Sequence, residues 1–109
     1  MDPFVRKLVL RLFDEGTPLS RNRHFQTFET PEGKLAMRLS KRLRALQKDI
    51  TACRDAGGTP QVTRSERGGD VTVQIVLEHL KSRRTTRLDE AEFDLLKGLP
   101  GMTGILASN

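Results

Sequence analysis

Seven basic side chains, Lys34, Arg38, Lys41, Arg42, Arg44, Lys48 and Arg54, fall in one stretch of helical pattern whose acidic residues are Glu32 and Asp49. Their excess of +5 equals the net charge of the whole chain. A cationic run of this kind does one sort of chemistry well. It neutralises phosphates or carboxylates held against it, by charge and by hydrogen bonding, with no covalent bond made or broken. Lys34, Arg38, Lys41, Arg42, Arg44 and Lys48 are therefore the first candidates for partner binding, with Arg83, Arg84 and Arg87 added from a later segment. Arg64 and Arg67 fall in the same later region and could assist. Arginine outnumbers lysine by thirteen to six. Planar, bidentate gripping of phosphate or carboxylate favours that ratio, and so does a GC-rich genome with no functional cause.

Other chemistry is thinly supplied. Groups whose pKa values can be poised near neutrality are His24, His79 and Cys53, and nothing in their local sequence prepares an activated thiolate or a general base. Cys53 continues the row of Leu39 and Leu46 by a step of seven, which reads as a small buried apolar residue. No Cys or His spacing suggests zinc, and the acidic residues follow no calcium-loop pattern. The glycine pairs Gly57-Gly58 and Gly68-Gly69 sit in turns rather than between a strand and a helix of a parallel unit, so no nucleotide fingerprint is present. The expectation is a protein with no catalytic residues, no metal and no cofactor.

The elements that must position the cations follow from periodicity. Asp2 before Pro3 starts a first helix, with Phe4, Val5, Leu8, Val9, Leu12 and Phe13 as its buried stripe and Gly16, Thr17 and Pro18 as its end. The stretch 19–30 has neither helical nor strand period and reads as an ordered loop pinned by Phe25 and Phe28. Thr30, Pro31 and Glu32 repeat the start signal. Leu35, Leu39, Leu43, Leu46, Ile50 and Cys53 then stay within an arc of about 80° at 100° per residue, predicting a long helix over 31–54 with one narrow apolar stripe. Lys34, Arg38, Lys41 and Lys48 fall on its opposite side, flanked by Arg42 and Arg44.

Gly57, Gly58 and Pro60 stop that helix. Val71, Val73, Ile75 and Leu77 alternate with Thr72, Gln74 and Glu78 as a strand with one face on a core, and Val76 with Leu80 suggests that the second face is covered too. Turns at Gly68-Gly69 and at Lys81-Ser82 connect it to strands at 61–66 and 83–88, giving a three-stranded antiparallel meander. Asp89 and Glu92 form a capping-box start for a short helix to Lys97, with Phe93, Leu95 and Leu96 on its buried side. The fold class is thus α+β, in the order α-α-β-β-β-α. The organisation is one domain over 1–109, with an N-terminal helix and loop at 1–30, a core at 31–98 and a tail at 99–109.

Over 31–98 the order is that of a double-stranded-RNA-binding domain, but the similarity stops at topology. Such domains carry a lysine cluster at the start of the last helix, where this chain has Asp89, Glu90, Ala91 and Glu92, and this chain's first core helix is longer. The absence of paired short helices disfavours a helix-turn-helix reader. One cysteine excludes an internal disulfide, no cleavable leader pattern opens the chain, and apolar runs such as 8–10 and 75–77 are far short of the roughly 20 residues a membrane span needs. The expectation is a cytoplasmic protein of 109 residues that does not enter membranes. Two partner classes remain. The concentration of charge on one element leans toward DNA or RNA, and the alternative is a regulator or adaptor that binds an acidic protein surface or pairs as a homodimer.

Overall fold

Asp2, Thr30 and Asp89 each start a helix, and in each case the side chain does what the spacing predicts. A computed structural model describes residues 1–15, 29–78 and 83–106. The Asp2 carboxylate accepts from the Phe4 amide at 2.7 Å, and the Thr30 hydroxyl from the Gly33 amide at 3.1 Å. Asp89 completes a reciprocal capping box. Its carboxylate accepts from the Glu92 amide at 2.7 Å, while its own amide donates to Glu92 Oε1 at 3.0 Å. These caps satisfy amides that a helix start otherwise leaves unpaired. The helices they open are α1 (Pro3–Glu15), α2 (Pro31–Asp55) and α3 (Glu90–Lys97).

The stop of α2 is equally specific. Gly57 takes φ +86° and donates to the Arg54 carbonyl at 3.0 Å, and Gly58 donates to the Cys53 carbonyl at 2.8 Å. This pair of bonds is a Schellman ending, in which a left-handed residue folds the chain back over the last turn. Strands β1 (Gln61–Arg67), β2 (Asp70–Glu78) and β3 (Arg83–Asp89) follow as an antiparallel meander with β2 in the centre. Gly68 and Gly69 both have positive φ, as the tight turn between β1 and β2 requires. Register sets the two faces. Val62, Val73, Ile75, Leu77 and Leu88 share the buried face, and the other face carries polar side chains around Val76.

The α+β class and its element order are those expected from the sequence. The chain divides into two compact units, Met1–Arg44 and Ala45–Asn109. In the first, Val5, Leu8 and Val9 of α1 are buried, as are Ala36, Leu39, Ser40 and Leu43 of α2. In the second, Leu46, Ile50 and Cys53 of α2, the inner sheet face and Phe93, Leu95 and Leu96 of α3 are buried.

Several expectations need correction. Phe4 is 48% exposed, and Leu12 and Phe13 are partly exposed. At 100° per residue Phe4 and Phe13 sit at the two margins of the stripe whose centre is Val5, Leu8 and Val9. Leu35 is 47% exposed, because the buried face of this half of α2 turns toward Gly33, Ala36 and Ser40, and Met37 and Ser40 line a depression together with Leu12 of α1. On the outer sheet face, Val76 is buried while its same-face neighbours Gln61, Thr63, Thr72 and Thr85 are exposed, so that face is open over most of its area. The expected tail contains a fourth helix, α4 (Met102–Leu106), with Leu99, Met102 and Leu106 buried. Five residues are too few for a helical period to show. The expected loop anchors Phe25 and Phe28, both histidines, Leu80, the Lys81-Ser82 turn and residues 107–109 lie outside the described residues.

Candidate functional site

The nine candidate cations divide between the units. Lys34, Arg38, Lys41, Arg42 and Arg44 belong to Met1–Arg44, and Lys48, Arg83, Arg84 and Arg87 to Ala45–Asn109. All nine are exposed. Their surroundings separate them into those held by the protein and those presented to solvent.

Arg44 is held. Its Nη2 donates to the Phe13 carbonyl at 3.1 Å, and its guanidinium lies 5.2 Å from the centroid of the Phe13 ring. Phe13 O is among the last carbonyls of α1, which have no partner within that helix, so Arg44 caps α1 and complements its negative end. Arg84 is also engaged, with Nη1 3.0 Å from Asp49 Oδ2 of α2. Arg83, its neighbour in sequence, points to the opposite face of the sheet and lies 3.8 Å from Glu78. Arg42 and Arg87 are engaged in interactions of their own.

Lys34, Arg38 and Lys41 are different. They stand at positions i, i+4 and i+7 of α2, so they share one face, and no described acid lies within ion-pair distance of any of them. Lys48 has no described acidic partner either. The local charge explains the contrast. Residues 31–44 of α2 hold Lys34, Arg38, Lys41, Arg42 and Arg44 against Glu32, whereas residues 45–55 hold Lys48 and Arg54 against Asp49 and Asp55. The positive excess of the helix therefore resides in its first half. Counting charge over the whole helix hid this division.

A second polar surface was not singled out from sequence. The outer face of the sheet presents Gln61, Thr63, Ser65 and Arg67 from β1, Asp70, Thr72, Gln74 and Glu78 from β2, and Arg83, Thr85, Arg87 and Asp89 from β3. Ser65, Arg67, Asp70, Thr72, Gln74 and Arg87 line a shallow depression on it. The sequence carried the signal in the alternation of β2, whose non-core positions 70, 72, 74 and 78 are all hydrogen-bonding residues. Arg64 falls on the inner face instead, with its guanidinium 5.3 Å from the centroid of Phe93. The Lys97 ammonium is 5.7 Å from the same ring. These two cations cover the edge of the core, and their attraction to the ring is a packing role.

Cys53 is fully buried, and its thiol donates to the Glu78 carbonyl at 3.2 Å. Among the described residues no group of three His, Cys, Asp or Glu side chains is placed to hold a metal ion, and no helix is long and apolar enough to cross a membrane. Comparison of the chain with known protein families, with curated proteins and with solved structures finds no match.

Proposed function

We propose that this α+β protein is a non-catalytic binding or regulatory protein that holds the phosphates of a duplex nucleic acid against the face of α2 presenting Lys34, Arg38 and Lys41. The observation that supports the reading is their shared face and lack of a described acidic partner. From Lys34 to Lys41 the helix rises about 10 Å at 1.5 Å per residue. Along that length a duplex carries roughly six phosphates, so three mobile cations have anions within reach at many registers. Such contacts supply affinity and orientation with no requirement for sequence. Tyr and Trp are absent from the chain, and the exposed phenylalanine among the described residues, Phe4, lies on α1 rather than on α2, which favours phosphate contact along α2 over base stacking on a single strand.

The test is binding of the full chain to a duplex DNA and a duplex RNA at about 50 mM and about 200 mM salt, for the wild type and for a Lys34→Ala, Arg38→Ala, Lys41→Ala variant. Each neutralised phosphate contributes about 0.9 to the slope of log affinity against log salt on B-form DNA, so the variant should flatten the slope by about 2 to 3. Absence of binding to both duplexes at the lower salt overturns the reading. The same variant then serves against acidic protein surfaces, the other partner class that a cationic helix face fits.

A further inference from the structure

The sheet has two outer strands, and they are not alike. Among the described residues β1 pairs with β2 alone, and its residues 63–67 are all exposed. Gly68 and Gly69, at φ +58° and +86°, make the two-residue turn whose flanking residues, Arg67 and Asp70, exchange both backbone hydrogen bonds. Alternation along an antiparallel ladder then directs the amides and carbonyls of Thr63 and Ser65 to β2 and turns those of Arg64 and Glu66 outward. Outward groups of this kind are a template for another strand. The side chains beside them are also without counterparts. Arg64 and Lys97 flank the Phe93 ring at 5.3 Å and 5.7 Å, and Glu66 stands two residues from Arg64 on the same face of β1. Among the described residues neither cation has an acid within ion-pair distance, and Glu66 has no basic partner. All four residues lie within one compact unit, Ala45–Asn109.

We propose that β1 pairs antiparallel with β1 of a second copy of this chain, about a two-fold axis at Ser65 that sets Arg64 opposite Glu66 of the partner subunit in both halves of the junction. The proposal is independent of the duplex-binding reading. Arg64 and Glu66 both turn their backbone groups outward, so each such pair exchanges two backbone hydrogen bonds. The incoming carboxylate arrives on the face where Arg64 and Lys97 lack an acid. Charge also selects the register. Sliding the partner by two residues one way opposes Arg64 to Arg64, and the other way opposes Glu66 to Glu66. Like charges directly opposite one another are destabilising, whereas opposite charges stabilise the pair.

The other outer strand offers no such match. β3 carries Arg83, Arg84 and Arg87, and its acid, Asp89, has both its amide and its carboxylate committed to the cap of α3. An edge rich in like charge is blunted against pairing. Pairing of β1 with β1 is isologous and closes at two copies, whereas β1 on β3 would propagate without closure. Two short edges bury less than a standard interface of about 1,600 Å², so the dimer should form and dissociate with concentration.

Sedimentation of the full chain from about 1 μM to about 1 mM, the range in which a small interface associates, should show a monomer–dimer equilibrium. Arg64→Glu and Glu66→Arg each place like charges opposite one another in both halves, and each should weaken the dimer roughly tenfold or more. An equimolar mixture of the two single variants should dimerise again. The double variant Arg64→Glu, Glu66→Arg exchanges the charges and should also recover the dimer, which excludes misfolding as the cause of the losses. It would stay repulsive in the register that opposes residue 64 to itself. Cross-linking reads the same register. Residues opposite one another in a non-hydrogen-bonded pair have Cα atoms about 4.5 Å apart, within the reach of a disulfide, so Ser65→Cys should cross-link two copies on mild oxidation. Thr63→Cys faces Arg67 of the partner subunit instead of its own counterpart and should not, and the native Cys53 is fully buried. A chain that stays monomeric throughout the range overturns the proposal. So does a dimer that neither charge substitution weakens, or one in which Ser65→Cys cross-links no faster than Thr63→Cys.

Discussion

The two halves of α2 are one uninterrupted helix with one hydrophobic period, yet they are built for different work. Residues 45–55 have balanced charge and are tied by side chains to the rest of their unit. Gln47 donates to the Pro100 carbonyl at 3.1 Å, Asp49 accepts from Arg84 at 3.0 Å, and the Cys53 thiol donates to the Glu78 carbonyl. Residues 31–44 carry the positive excess, and there Arg44 bonds to the Phe13 carbonyl and Arg42 is engaged as well, while Lys34, Arg38 and Lys41 have no described acidic partner. The buried faces differ as well. Leu46, Ile50 and Cys53 fill the second half, whereas Gly33, Ala36 and Ser40 join Leu39 and Leu43 in the first. Charge that is balanced and bonded stabilises a fold; charge left without a partner is available to a ligand. A helix-wide average conceals which of the two a given half has.

The largest effect should come from breaking the anchored half. Ile50 is fully buried, so Ile50→Ala should cost about 2 to 5 kcal/mol from lost burial and the cavity left behind. Leu35, at the half-exposed margin of the other half, should lose under about 1 kcal/mol on the same truncation, because much of its surface is already in water. Denaturant unfolding of the two variants measures the contrast, and equal losses would erase it. A second break lies where α2 ends. A Cβ at Gly58 would stand 2.5 Å from the Glu78 carbonyl oxygen and 2.8 Å from Cys53 Sγ. Since backbone must move to admit it, Gly58→Ala should destabilise by about 1 to 3 kcal/mol. Gly104 lies inside α4 with nothing within 4 Å of its added Cβ, so Gly104→Ala should stabilise by up to about 1 kcal/mol. The opposite signs distinguish close approach at Gly58 from a general intolerance of alanine for glycine.

The parts of the fold that were legible in the sequence were those with local causes. Asp2, Thr30 and Asp89 announced their helices because a capping side chain acts within three residues, and Gly57 announced a stop because the left-handed region favours glycine. The strands were legible through the two-residue alternation of β2 and the glycine turn before it. What escaped depended on neighbours distant in the chain. The exposure of Leu35 follows from a buried face that turns to small residues beside α1, and apolar spacing alone gives no warning of that. Arg44 and Arg84 matched Lys34 and Lys41 in type, but each is held by a partner 31 or 35 residues away. The outer sheet face went unread because attention to charge passes over hydroxyls and amides. Only strand register shows that Thr63 and Gln74, or Ser65 and Thr72, stand side by side.

The smallest effect sharpens the comparison most finely. The Arg84–Asp49 contact is partly exposed, with side-chain exposures of 62% and 36%. A double-mutant cycle with Arg84→Ala and Asp49→Ala should therefore give a coupling of about 0.2 to 1 kcal/mol, as exposed ion pairs do. The coupling should shrink at high salt, where screening shortens the range of such attraction. Lys41 and Asp49 are eight residues apart on the same helix and form no pair, so the corresponding cycle should give no coupling outside error. Asp49→Asn adds a binding readout. It removes the carboxylate that balances residues 45–55 and leaves Lys34, Arg38 and Lys41 untouched. If phosphates are held by the first half, duplex affinity should rise modestly through the longer-range field, with an unchanged contribution from the Lys34, Arg38 and Lys41 triple substitution. A gain that instead makes the triple substitution harmless would show that Lys48 and the released Arg84 can form the binding face, and the division between the halves would then be one of stability alone.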